Sequence, residues 1–244
     1  MKDLTLFTEY EVSSAETDMD GRLRLSAFVN LLIQSAIKSA DLLGFGWADM
    51  TKHHLFWVLS RLHLNINAVP KWYDKIIVET WPKDIYKILY LRDFIVRNED
   101  NDIIASATSA WFALDDKSRR PRHVNTADMD KFILLKDKHA INEIPEKLSP
   151  VADGDVFALT PEYFDIDLNK HITSSRYIDW MMNTFGVDFH DKHYPKELTI
   201  DYLKEIRLGS NVRITKKAIS PVEYLFEGYN KTQDVTAFRG KIIF

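Results

Sequence analysis

Cysteine is absent from the chain. Disulfides, cysteine-ligated zinc, iron–sulfur clusters and thiolate catalysis are therefore excluded. No apolar run approaches the ~20 residues that span a bilayer. The opening segment MKDLTLFTEYEV lacks an apolar core, a cleavage-site pattern or an Arg/Ser-rich stretch, so a cytoplasmic protein is expected. A strong positive charge is also missing: the formal net charge is −4, with acidic and basic residues mixed. A general nucleic-acid binder needs a basic surface to release counterions, and this composition argues against one. The pairs His53-His54 and His190…His193 have no carboxylate cluster at ligand spacing, so neither a metal nor another cofactor is expected.

What is present suits a soluble globular protein. Hydrophobic residues make up 45% and charged residues 28%, and aromatics at 12% are enough to line cores or pockets with rings. A chain of 244 residues is one large domain or two small ones.

Apolar residues recur at helical spacing from Leu25 to Leu43, through Phe28, Val29, Leu32, Ile33, Ala36, Ile37 and Ala40, with Gly44 placed to end the helix. Strand-like segments follow: Phe56–Asn67, Lys75–Trp81, Ile88–Arg97 and Ile103–Leu114, rich in Ile, Val, Thr and aromatics. Asn98-Glu99-Asp100-Asn101-Asp102 reads as the hairpin turn between the last two. From about Asn125 to Asp155 the pattern dissolves into Lys, Asp, Glu and Pro, which reads as a linker. The order then repeats, with a helix over Ser174–Phe185 ending at Gly186. Strands follow at Glu197–Tyr202, Asn211–Ala218, Val222–Tyr229 and Val235–Phe244.

The repeat extends to residues. Asp18-Met19-Asp20-Gly21-Arg22-Leu23-Arg24 precedes the first helix and Asp165-Ile166-Asp167-Leu168-Asn169-Lys170-His171 the second. Aligned at Asp18 and Asp165, the second copy has Asn169 and His171 where the first has Arg22 and Arg24. A duplicated domain with this polar set in one half is expected to have one active site. The expected fold is α+β, a long helix wrapped by a curved antiparallel sheet, built twice. The expected divisions are 1–125, a linker over 126–154, and 155–244.

Several motifs in order carry a family resemblance. They are Phe56-Trp57-Val58-Leu59-Ser60-Arg61-Leu62-His63-Leu64, Pro70-Lys71-Trp72-Tyr73-Asp74, Val78-Glu79-Thr80-Trp81, Arg92-Asp93-Phe94 and Ala107-Thr108-Ser109-Ala110-Trp111. After these come the Asp-x-Asp-x-Asn-x-His segment over 165–171, Tyr177-Ile178-Asp179-Trp180, and Leu198-Thr199-Ile200-Asp201-Tyr202-Leu203-Lys204-Glu205. Together they resemble the fatty acyl–acyl carrier protein thioesterases of plants and bacteria, over most of the chain. The resemblance implies a tandem double hot-dog fold and hydrolysis of a fatty acyl thioester on acyl carrier protein. The partner it implies is that carrier bearing an acyl-phosphopantetheine arm. It also implies catalytic roles for Asp167, Asn169, His171 and Glu205 in the C-terminal half. The N-terminal half would hold the acyl chain without catalysing, with Val29, Leu32, Ile33 and Trp57 as candidate walls. Plant members often carry Cys where this chain has Ile206, so thiol chemistry cannot be required here. They also carry a plastid transit peptide, and a chain that begins almost at the fold suggests a bacterial protein.

In an extended segment, the two-residue spacing of Asp167, Asn169 and His171 would put all three on one face. The helix that follows has unpaired N–H groups at its start, suited to an oxyanion. Expulsion of a thiolate, with a conjugate-acid pKa of about 8.5, needs little help, so activating the nucleophile is the main task. In one assignment Glu205 and Asn169 position a water while Asp167 and His171 polarise the carbonyl and handle protons. In the other, Asp167 attacks to form an anhydride. A lone Asp or Asn before a helix is commonly a cap, and Asp165 is read as a cap or turn residue. The alternatives in function are an acyl-CoA thioesterase of the same fold and a non-catalytic module that binds acyl chains or the carrier. The run Ser118-Arg119-Arg120-Pro121-Arg122-His123, with Lys170, Arg176, Lys216 and Lys217, is either a docking surface for an acidic carrier or plain solvated charge. A monomer or a homodimer fits equally.

Overall fold

A computed structural model describes residues 4–124, 127–167 and 170–244. The chain forms two compact units, one of Met1–Arg24 and Phe28–Pro145, the other of Leu25–Ala27 and Glu146–Phe244.

In the first unit, strand β1 (Leu6–Glu11) precedes helix α1 (Leu25–Leu43) and the short helix α2 (Trp47–Lys52). Four strands follow: β2 (Leu55–Ile66), β3 (Lys75–Tyr86), β4 (Leu89–Arg97) and β5 (Ile103–Asp115). They pair antiparallel in the order β1-β3-β4-β5-β2. The helical period of the apolar residues is realised in α1, where Phe28, Val29 and Leu32 are fully buried. Gly44 ends the helix with φ 85°, a left-handed conformation that glycine adopts without a Cβ clash. Beyond it, Phe45, Met50, Tyr90, Met129 and Phe132 form an aromatic-rich core with Trp57 packed against it.

The second unit repeats this plan. Strand β6 (Asp155–Leu159) precedes helices α3 (Ser174–Met182) and α4 (Val187–His190). Then come β7 (Glu197–Tyr202), β8 (Val212–Ala218), β9 (Glu223–Asn230) and β10 (Val235–Ile243). Their order, β6-β8-β9-β10-β7, is the order of the first unit. Each unit is thus a hot-dog fold, and the chain is a tandem pair of them. Two edge strands, β1 and β6, escape the sequence reading because they are short and half exposed. The second helix also differs from expectation: it stops at Met182 rather than Phe185. The Thr184 hydroxyl donates to the Met181 carbonyl (2.7 Å), and Gly186 opens α4 instead of closing α3. Gly240 on β10 lets α3 sit close to the sheet, since a Cβ there would meet Met181 Sδ at 2.2 Å.

The segment read as a linker has its own attachments to charged side chains that rise from mid-strand. In the first unit, Lys138 Nζ pairs with Glu79 (2.6 Å) and lies over the Trp81 ring, while Trp81 Nε1 donates to the Lys138 carbonyl (3.0 Å). Lys83 donates to the Ile141 carbonyl and faces Asp93 at 3.4 Å, and Asp93 accepts the Ala140 N–H (2.7 Å). In the second unit, Asp201 accepts the Leu148 N–H (2.9 Å) and Arg239 donates to the Leu148 carbonyl (3.1 Å). The segment is a strap that carries a 3-10 stretch over Ala127–Ile133; beyond it, buried peptide groups outside helix and sheet must find partners, and these charges supply them. Burial pushes the Asp93 carboxyl above the usual carboxylate range, despite the opposing Lys83 ammonium.

Because Lys83 and Asp93 are both essentially buried, Lys83→Met strands a carboxylate and is expected to cost about 3–5 kcal/mol. Urea denaturation measures this, and Lys83→Met/Asp93→Leu should recover part of the loss. A single variant as stable as the parent would show that the pair does not hold the strap.

Candidate active site

The polar segment before α3 is a closed turn, not the extended stretch that its spacing suggested. Ile166 and Ile172 form an isolated β-bridge around it. Inside, the Asp167 N–H donates to the His171 carbonyl (2.8 Å) and the His171 N–H donates to Asp167 Oδ1 (3.1 Å). Lys170 completes the reversal with φ 63°, a left-handed conformation that costs a residue with a Cβ roughly 1–2 kcal/mol. Asp167 and His171 therefore face each other across the turn. Asn169, the third residue of the predicted set, lies outside the described residues.

Glu205 comes from the segment after β7. The N–H groups of Leu203 and Lys204 both donate to the Ala237 carbonyl (2.8 and 2.9 Å), which anchors that segment to β10. The Ile172 N–H donates to the Ile206 carbonyl (3.2 Å), joining it to the turn. The result is a contact between His171 Nε2 and Glu205 Oε2 at 3.1 Å. The other carboxylate oxygen, Oε1, is held by Arg207 at 2.7 Å. An imidazole oriented by a carboxylate, itself held by a guanidinium, can take up and release a proton at a defined position. The sequence reading missed Arg207, a residue that carries no signal beyond lying two positions after Glu205. Among the described residues, no group of three or more His, Asp and Glu gathers as metal ligands.

Asp165 is a turn residue: it ends a short 3-10 turn, and its Oδ2 accepts the N–H of Glu162, the residue that caps that turn (2.8 Å). Of the proposed tunnel residues, Val29 and Leu32 are 0% exposed and Ile33 and Trp57 are half-buried, all on the first unit. Trp57 Nε1 donates to the Phe45 carbonyl (2.7 Å), and its ring meets Tyr90 edge-on. Several of the basic residues are already engaged: Arg122 with Asp115, Arg176 with Asp179, Lys216 with the Thr184 carbonyl, and Lys217 with Asp153.

The first unit contains the same turn, and it corrects the register of the repeat. Thr17 bridges Leu23, the Asp18 N–H donates to the Arg22 carbonyl (2.8 Å), and Asp18 Oδ1 accepts the Arg22 N–H (2.9 Å). Gly21, with φ 72°, stands where Lys170 does. Asp18 thus corresponds to Asp167, not Asp165, and His171 stands opposite Arg22, not Arg24. The Leu23 N–H donates to the Pro70 carbonyl (2.8 Å) as Ile172 does to Ile206, which places Val69 opposite Glu205. The aspartate belongs to the turn in both halves. The histidine and the glutamate occur in one.

If that aspartate closes the turn equally in both units, Asp18→Ala and Asp167→Ala should each cost about 1–3 kcal/mol, the price of orphaned amides. Denaturant midpoints of the two variants test this. A cost confined to Asp18→Ala would mean that Asp167 is not needed for the turn.

The family model for the acyl-ACP thioesterase N-terminal domain matches residues 4–132, and that for the C-terminal domain matches 149–243. An Arabidopsis thaliana protein named oleoyl-acyl carrier protein thioesterase 2, chloroplastic, is 28% identical over 81% of this chain and 58% of its own length. A Cinnamomum camphora protein named dodecanoyl-[acyl-carrier-protein] hydrolase, chloroplastic, is 29% identical over 82% of this chain and 56% of its own length. The chain therefore spans little more than half of these curated relatives. The crystal structure of an acyl-ACP thioesterase from Bacteroides thetaiotaomicron superposes with a TM-score of 0.91 at 26% identity, covering 99% of this chain and 98% of that one. Matched by both domain models, the chain belongs to the acyl-ACP thioesterase family.

Proposed function

We propose that the chain hydrolyses fatty acyl thioesters borne on acyl carrier protein, releasing a free fatty acid and the carrier's thiol. The observation that carries this reading is the His171–Glu205 contact beside Asp167, in the unit matched by the C-terminal thioesterase model. In the proposed reaction, Glu205 and Asn169 position a water. Its oxygen bonds to the thioester carbonyl carbon while its proton passes to the His171–Glu205 pair. The oxyanion forms near Asp167, His171 and the first N–H groups of α3. The C–S bond then breaks, and the thiolate leaves or recovers the proton. Water is favoured over Asp167 as nucleophile, because Asp167 Oδ1 is held by the same turn bond that Asp18 makes in the half without the histidine. We assign the acyl chain to the first unit, where Ile33 and Trp57 keep surface that Val29 and Leu32 lack. The carrier protein is favoured over coenzyme A because the relatives' names specify acyl carrier protein.

Release of fatty acid and carrier thiol should be measured on acyl–acyl carrier proteins of graded length, beside matched acyl-CoAs. Turnover is expected on the carrier-bound substrates, falling by about 10²–10⁴ in His171→Ala and Glu205→Ala while the melting temperature holds. Folded protein that turns over no carrier-bound thioester would sink the proposal. Faster turnover of acyl-CoA would move the substrate to coenzyme A.

A further inference from the structure

We infer that the buried hydroxyl of Tyr177 is a positioning group that sets Glu205 against His171. The inference rests on the proposed hydrolysis and names a residue for it. Tyr177 is 5% exposed, and its ring is boxed in by Trp180, Tyr202 and Phe238 at centroid distances of 5.2, 5.6 and 5.1 Å. Its Oη accepts the N–H of Ile206 at 3.3 Å, the amide of the peptide bond that joins Ile206 to Glu205. The Ile206 carbonyl is held from the other side by the Ile172 N–H. Both backbone groups of the residue after Glu205 are thus fixed, one by α3 and one by the turn that carries His171. Glu205 can place Oε2 on His171 Nε2 because its backbone has no freedom to drift. Burial, with the charges of Glu205 and Asp167 adding to it, keeps the phenol protonated.

The first unit is an internal control. In the corrected register, Phe28 occupies the position of Tyr177, and Pro70 that of Ile206. The hydroxyl and the N–H it would accept are absent together, since proline carries no amide proton. Phe28 is 0% exposed, so the frame packs that position fully without a hydroxyl. The hydrogen bond is therefore not demanded by the fold. It occurs in the half where His171 and Glu205 replace Arg22 and Val69.

A structural role and a positioning role make different predictions. If the hydroxyl only satisfies a buried amide, its loss costs stability and leaves turnover unchanged. If it positions Glu205, its loss lowers kcat and spares KM. We would compare Tyr177→Phe with Tyr177→Phe/Ile206→Pro, which copies the Phe28/Pro70 pair and removes the orphaned amide, on an acyl–acyl carrier protein that the parent hydrolyses. The expected result is a kcat lower by about 10–100-fold in both variants, with KM within about twofold. The double variant should regain the melting temperature of the parent without regaining its kcat. A parental kcat in Tyr177→Phe, or in the double variant once its stability returns, would overturn the inference and leave the hydrolase reading intact. A parent that turns over no substrate would instead defeat the hydrolase reading itself.

Discussion

The bond from an aspartate carboxylate to the amide four residues ahead sets the geometry of each half, because it closes a turn just before the helix begins. With Asp18 or Asp167 in place, the chain reverses through a left-handed residue, Gly21 or Lys170, and enters α1 or α3 on a fixed heading. The same turn offers the N–H of Leu23 or Ile172 to the segment after the second strand of its unit. Helix start and strand end are thereby joined at one point. Whatever side chains stand at that point are brought together regardless of their distance in sequence.

The two halves use that junction differently. In the first it holds Arg22, Val69 and Pro70, and Arg22 forms ion pairs with Asp18 and Asp20 (2.8 and 2.7 Å). In the second it holds His171, Glu205 and Ile206, with Arg207 and Tyr177 around them. A scaffold that tolerates both sets places little stability demand on the second, which is what leaves a site free to be shaped by chemistry. The mid-strand charges serve another purpose. Glu79, Lys83, Asp93 and Asp201 are buried, yet each meets the strap or a partner that meets it, so the strap beyond its 3-10 stretch is held in specified positions by side chains.

Much of this was legible in the amino-acid sequence. The period of Leu25–Leu43 marked α1, and alternating Ile, Val and aromatic residues marked eight of the ten strands among the described residues. Asp, His and Glu at family-like positions marked the candidate site. The two missed strands, β1 and β6, are short edge elements with half-exposed faces, so their alternation was weak. The repeat was visible but its register was not. A pattern of period two permits either slide, and identity favours the wrong one: Asp18 with Asp165 pairs both aspartates, whereas Asp18 with Asp167 leaves Asp20 opposite Asn169.

The tertiary structure made that choice, because only one register closes both turns with the same hydrogen bonds. It also decided which side chains meet. His171 and Glu205 are separated by two helices and a strand, and no local pattern encodes their contact. Tyr177 stands in the sequence as one residue of a motif on the second helix, and nothing local shows what its hydroxyl meets. What residue types are available, and with what period they recur, is written in the chain and follows from local backbone geometry. Which of them share a hydrogen bond depends on the packing of α3 over its sheet, and that is settled only when the unit folds as a whole.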